Sequence, residues 1–464
     1  MKIGHRQIIL RIALGVSGIV IGSLSVLFRW KSIDGEVAIV VGAVGLLAMF
    51  LLSPLGDKIN LDFFAPYILF PVMWLAATGL SSLRLTIFQE PWDVSMWLCV
   101  GLAFLAYVMG VFTVFVLRRR WPVEKHGPKK FIYRWNERRL KWMALVLLLV
   151  STAFLVYEYR IGGSIPLLSP QMELVRFDVI VGGYADTLAV SSRIVVMILG
   201  IHLLTKPRFR VRENLLSLAL IVLSLVLMAS TARRGTVVFP LVVLCVGYHY
   251  LIKNLDARKI MLLGLAGFLA IALFSHYRYA RTFGEAPLEN AWRPKKFVWM
   301  TLGYMTISDN FRTLHLLTET IPERVPFQVG RFTTYGIYSI FPGHQENLGE
   351  FQNRIWGWDR YSGSVSTYLG PFYVDWGLVG VIAGSFLIGV LAMFLYSRML
   401  SRPSPYSVLL YSYMAYCLMF ATFSNPFTWT LTYWDVVVFA LADLLARKKM
   451  TSAPARDFAS VQSV

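Results

Sequence analysis

Apolar runs of span length recur along the 464-residue chain, separated by short polar joints, until one polar stretch from Ser275 to Gly363 breaks the rhythm. About twenty helical residues cross the hydrocarbon core of a bilayer, so each run predicts a membrane-spanning helix. Twelve spans are expected, starting near Ile8, Val37, Phe63, Val94, Trp142, Leu188, Leu215, Val237, Ile260, Thr367, Tyr406 and Leu431. The run from Ile8 to Phe28 follows Lys2, His5 and Arg6 as a signal peptide would, but its length and the want of a small-residue cleavage site favour a retained helix. The expectation is an all-α polytopic membrane protein. Nine spans fall within residues 1–274, a large loop within 275–365, three spans within 366–446 and a tail within 447–464.

Basic residues orient this array. The joint from Arg118 to Lys141 holds ten lysines and arginines against Glu124 and Glu137, which predicts a cytoplasmic loop. Lys206, Arg208, Arg210 and Arg212, then Lys253, Arg258 and Lys259, then Arg447, Lys448 and Lys449 mark three more inside segments. Both termini are then cytoplasmic, and the large loop faces outward with the loop from Glu158 to Thr187 and the turn from Thr231 to Thr236. The net charge of +19 is distributed as orientation signals are, and without a nucleic-acid motif it predicts no nucleic-acid partner. Cys99, Cys245 and Cys417 lie inside apolar runs, which argues against a disulfide framework or a thiolate metal site.

The outer basic residues are almost all arginine, the lysines being Lys31, Lys295 and Lys296. A planar guanidinium grips phosphate bidentately, so an anionic ligand on the outer side is expected. Pairing with the loop's own carboxylates or with lipid phosphates is the plainer alternative. Arg278 and Arg281 follow His276 where the ninth span ends, and on a continued helix they could grip one diphosphate together. Arg233 and Arg234 stand in STARRGT, Arg176 in the first outer loop and Arg331 in the large one. Within that large loop, Val298, Leu302, Met305, Leu314 and Leu317 recur at helical spacing and predict an amphipathic helix between Lys296 and Glu319. Trp292, Trp299, Trp356, Trp358 and Tyr361 suit an interfacial belt or the stacking of sugar rings.

For a general base the large loop offers His344 first, because imidazole titrates near neutrality and follows a Pro-Gly turn. Glu346, Glu350, Asp309 and Asp359 are further candidates. Asp375 would sit below the interface and needs a partner, most simply one of the arginines. The chain has no GxxxxGK[ST], no HExxH and no DxD in the outer loops, so no cofactor or metal is expected. A glycosyl transfer here should be metal-independent and use a lipid-linked donor.

The run YLGPFYVDWGLVGVIAG from Tyr368 to Gly384 resembles the Tyr-x-Asp-aromatic-Gly-x-x-Gly signature that closes the large outer loop of the oligosaccharide repeat-unit polymerases, the Wzy-type O-antigen and capsule polymerases. STARRGT is similar to the short Ser/Thr-Arg-Gly turn that these polymerases share with O-antigen ligases, and YSIFPG from Tyr338 to Gly343 also resembles the family. The resemblance implies a GT-C-like helical enzyme of the bacterial inner membrane, acting on its outer face. It would move a growing glycan from undecaprenyl diphosphate onto the next undecaprenyl-diphosphate-linked unit, alongside a chain-length regulator. Arg233 or Arg234 match the turn arginine, Arg176, Arg278 and Arg281 match by loop position, and His344 corresponds by region to the ligases' loop histidine. A ligase, or a flippase of lipid-linked glycans, is the alternative. A transporter built of repeats would carry mid-span charges in matching halves, and the long loop follows span nine rather than the midpoint.

Overall fold

A computed structural model describes residues 62–118, 131–179, 183–206, 210–339, 345–358 and 365–449. Helices stand at ten of the twelve expected span positions. They are α1 (Pro66–Ser82), α2 (Val94–Arg118), α3 (Glu137–Gly162), the pair α5 (Gly183–Ala189) and α6 (Ser192–Leu204), α7 (Val211–Ser230), α8 (Arg234–Leu251), α9 (Ala257–Phe283), α14 (Leu369–Ser401), α15 (Pro405–Phe420) and α16 (Thr430–Ala446). The expected spans near Ile8 and Val37 lie outside the described residues. Seven stretches are long and apolar enough to cross a membrane: α2, α3, Tyr184–Leu204 across α5 and α6, α7, α8, α9 and α14. The count among the described residues is lower than the apolar runs implied, because α1, α15 and α16 have 17, 16 and 17 residues. Ser404 opens α15 with a capping box and Pro405 at its first turn, next to the expected start at Tyr406, so its shortness comes from the far end, where it stops at Phe420.

Small residues let two of the longest helices touch backbone to backbone. A Cβ on Gly110 of α2 would stand 2.1 Å from the Phe386 carbonyl oxygen, and one on Gly389 of α14 would stand 2.3 Å from that of Tyr107. The two glycines serve each other's helix, the device that membrane helices use where no hydrophobic force drives them together. Nearer its start α14 bends at Gly377, whose φ of 60° and ψ of −146° leave the helical region. Asp375, two residues before the bend, is fully buried.

At one end of the bundle β1 (Tyr133–Trp135) pairs antiparallel with β2 (Arg447–Lys449), and Lys206 Nζ donates to Glu137 Oε2 at 2.7 Å. These segments are the ones whose basic residues mark them as sharing a side. The segments expected on the other side meet at the opposite end. There α9 runs on to Phe283, followed by α10 (Ala286–Ala291), α11 (Thr301–Thr320), α12 (Tyr335–Tyr338) and α13 (Leu348–Trp356). The amphipathic stretch between Lys296 and Glu319 thus becomes α11, packed against α1, α9 and α14. Phe311, Leu314 and Leu317 are fully buried there.

The pair of Arg193 and Asp435 is fully buried inside the bundle. Arg193 of α6 donates to both oxygens of Asp435 on α16, at 3.1 and 2.9 Å, and Tyr413 of α15 donates to the same carboxylate at 2.9 Å. A charge at that depth needs such a partner, and this one ties three helices together.

Candidate functional site

The turn between α7 and α8 is short, so these helices run antiparallel and present Arg233 and Arg234 at the end of the bundle where α9 terminates. Two further short elements complete the site: α4 (Met172–Asp178), which crosses α9, and α5. Arg278, in the last two turns of α9, is buried. Its Nη1 donates to the carbonyl of Ala232 at 2.9 Å, and its Nε pairs with Glu173 Oε2. Arg176 holds the other oxygen of the same carboxylate, with Nε at 3.1 Å from Oε1. Arg233 Nη1 donates to Asp186 Oδ1 at 2.5 Å. Arg234 donates to Ser275 Oγ through Nη1 and to Thr306 Oγ1 of α11 at 2.9 Å through Nη2.

Four of the expected arginines therefore converge, from α4, the α7–α8 turn and α9. Glu173 pairs with Arg176 and Arg278 and Asp186 pairs with Arg233, while Arg234 is held by hydroxyls alone, so within this group of six the guanidiniums outnumber the carboxylates by two. The Ala232 carbonyl that Arg278 holds belongs to a residue with φ of 53°, a left-handed conformation that a non-glycine residue adopts at a cost. The arginine thereby fixes the turn that carries its two neighbours.

Other expected site residues fall elsewhere. Arg281 does not share a grip with Arg278: although the helix continues through both, Arg281 is exposed and donates to the Tyr277 hydroxyl at 3.2 Å, while Arg278 is buried on Glu173 and the Ala232 carbonyl. Arg331 donates to Glu346 Oε2 at 2.9 Å, and Arg354 of α13 grips both oxygens of that carboxylate at 2.7 and 3.0 Å. Glu346 is thus the bridge between two arginines, and Glu350 closes the capping box at the start of α13. The carboxylate of Asp375 is held by backbone rather than by an arginine, with Phe332 N at 2.9 Å and Thr333 N at 2.6 Å, because Asp375 lies beneath the turn 330–334. His276 faces Glu285 at 3.5 Å. His344, Asp359 and Tyr361 lie outside the described residues.

Asp309 stands on α11 one turn beyond Thr306, the residue that Arg234 holds. Its Oδ1 is sealed from solvent and has no hydrogen-bond partner. Desolvation pushes its pKa up to about 6, against a smaller opposing pull from Arg312. A carboxylate in that state can take a proton near neutral pH.

A measurable concavity of about 540 Å³ lies apart from these groups, between α2 and α14, lined by Val114, Leu117, Leu387, Val390, Leu391 and Phe394 with Arg118 at its edge. Its lining is almost wholly apolar and includes none of the expected site residues.

The family comparison reaches over nearly all of this architecture. The model of the family described as "Putative O-antigen polymerase" matches residues 16–421. The chain belongs to the O-antigen polymerase family. No curated protein and no solved structure matches it. The matched region contains the four converging arginines, their two carboxylates and α11, and it ends before α16 begins. Membership identifies a membrane protein of glycan polymerisation, an enzyme of glycosyltransferase type that handles lipid-linked oligosaccharide.

Reading the sequence missed Glu173, Asp186 and Thr306, the partners that bring the polymerase's arginines together, since nothing in their neighbourhoods separates them from other loop polar residues. It also passed over Arg193 and Asp435, although an arginine and an aspartate within apolar runs are a legible signal of a pair.

Proposed function

We propose that this polymerase transfers a growing glycan from undecaprenyl diphosphate to the sugar of the next undecaprenyl-diphosphate-linked repeat unit, on the outer face of a bacterial inner membrane. The convergence of Arg176, Arg233, Arg234 and Arg278 carries the reading. In the transfer, an acceptor hydroxyl oxygen bonds to the anomeric carbon as the bond from that carbon to the phosphate oxygen breaks. The electron pair leaves with the diphosphate, and charge grows there in the transition state. Surplus guanidinium charge aimed at the departing oxygens lowers that barrier, as an oxyanion hole does. The acceptor proton passes to a base, a role we give to Asp309, one helical turn from Thr306, whose Oδ1 has no hydrogen-bond partner.

Several finer features belong to the same proposal: a GT-C-like array of twelve spans, both termini inside, Arg331 and Arg281 as outlying contacts for substrate phosphates, His344 as the alternative base, and a chain-length regulator as partner. The reaction needs no metal in this scheme. Purified protein given the strain's own lipid-linked repeat unit should build a ladder of products with and without a chelator. Release of lipid carrier without lengthening of the glycan would refute polymerisation.

A further inference from the structure

The face of α11 that turns away from Arg234 carries an arrangement that the diphosphate site does not use. Arg312 lies one turn beyond Asp309. Its guanidinium sits 5.4 Å from the centre of the Phe88 ring and 5.6 Å from that of Trp358. Trp358 in turn packs at 4.7 Å against Trp356. A further turn along, His315 Nε2 is 3.6 Å from Asp93 Oδ1 and 3.5 Å from Glu319 Oε1. His315 is buried, whereas the two carboxylate side chains are 42 % and 47 % exposed and Phe88 is 41 % exposed.

The loop that supplies Phe88 and Asp93 is firmly held. Gln89 is buried, its amide donating to Ser81 O at 3.0 Å and its oxygen accepting from Tyr304 of α11 at 2.7 Å. Trp92 stacks on Phe311 with ring centres 5.6 Å apart and planes 13° from parallel. The groups along this face are thus positioned before any ligand arrives, which lowers the entropy cost of binding.

We infer that this face, framed by Phe88, Asp93, Arg312, Glu319 and Trp358, binds the sugar rings of the acceptor glycan, with Asp309 between it and the arginines. The chemistry selects the ligand. Aromatic rings offer flat apolar faces to the C–H side of a sugar, and exposed carboxylates accept from its hydroxyls. The same carboxylates repel a phosphate, so a lipid headgroup or a second diphosphate is disfavoured where a neutral or basic sugar is welcome. Geometry agrees: from Thr306 to Glu319, α11 rises about 20 Å at 1.5 Å per residue, enough for a short oligosaccharide lying along it. Asp309 would then meet the acceptor hydroxyl where the glycan approaches the donor's anomeric carbon.

The inference rests on the polymerase reading, and its test separates the two. The probe is the free repeat-unit oligosaccharide, released by mild acid from the strain's lipid-linked intermediate and titrated calorimetrically into full-length protein in detergent. Wild-type protein should bind it saturably. Trp358→Ala and Glu319→Gln should each weaken binding at least about tenfold, and should raise KM for lipid-linked acceptor more than they lower kcat. Arg278→Ala should bind the oligosaccharide as wild type does, since the probe has no phosphate, while failing to polymerise. If Trp358→Ala does not yield folded protein, Phe88→Ala and Glu319→Gln decide the matter. Wild-type affinity and KM in the folded variants would overturn the acceptor face and leave the diphosphate site standing. Polymerisation by Arg278→Ala would overturn the diphosphate site instead.

Discussion

Replacing Arg278 with alanine tests the arginine cluster at its most buried member. Two losses follow from the contacts. The first is structural: the charged donor to the Ala232 carbonyl disappears, and a hydrogen bond to a charged group contributes about 1.5–3 kcal/mol. Breaking a buried ion pair commonly costs about 3–5 kcal/mol because the other charge is left alone. Here Glu173 keeps Arg176, so the lower end applies. The second loss follows from the proposed role of Arg278 at the diphosphate. Removing one donor to a developing oxyanion costs about 10²–10³ in kcat, or about 2.7–4 kcal/mol. Arg278→Lys keeps the charge but cannot reach Glu173 and Ala232 together, and should fall between alanine and wild type. The assay is glycan chain length on a gel from cells matched for membrane expression, followed by turnover of purified protein with lipid-linked repeat unit. A long-chain ladder from the alanine variant, with turnover within about threefold of wild type, would refute the reasoning.

Other consequences are open to measurement. If Asp309 is the proposed base, its pKa, raised to about 6 by desolvation, lets it accept a proton only when ionised, so turnover should fall as pH drops through about 6 and level off above it. Asp309→Asn should lose both the rate and that acid limb. An acid whose pKa is higher folded than unfolded destabilises the fold once ionised, so Asp309→Asn should also raise the thermal midpoint near neutral pH, by about 1–3 kcal/mol of stability at 1.36 kcal/mol per pKa unit. A limb retained in the asparagine variant would assign it to another group. Gly389→Ala forces a Cβ toward the Tyr107 carbonyl and should cost about 1–3 kcal/mol by overpacking, read as a lower melting temperature in detergent. Asp435→Asn breaks the pair with Arg193 and should destabilise by about 3–5 kcal/mol. Arg193→Met combined with Asp435→Leu should recover much of that, and no recovery would mean that the pair does more than join helices.

The helices at ten of the expected positions, seven of them long and apolar enough to cross a membrane, were legible because a bilayer demands the same thing of each: enough apolar length to cross and no free backbone groups. The helix between Lys296 and Glu319 was legible from its period, and it forms over Thr301–Thr320. What escaped was decided between segments distant in the chain. Arg278 and Arg281 look alike in SHYRYARTFG, but only Arg278 turns toward Glu173, more than a hundred positions earlier. Asp375 suggested an arginine partner, and the fold supplies two backbone amides from a turn that no local pattern ties to it. Asp309 stood among five candidate bases. Only the packing around α11 shows that one of its oxygens is left without a partner.

The bend at Gly377 has a mechanical corollary. Asp375 fastens the turn 330–334 to the short front piece of α14, while Gly389, beyond the bend, is wedged against α2. The front piece is thus anchored to the capping elements at that end of the bundle, and the remainder to the bundle itself. If the cap shifts to let two lipid-tethered chains come and go sideways, rotation will concentrate at this one joint, where Phe327 lies within 2.9 Å of a would-be Cβ. Spin labels on either side of position 377 would record that swing as a spread of distances, and a single sharp distance throughout turnover would show the joint to be rigid.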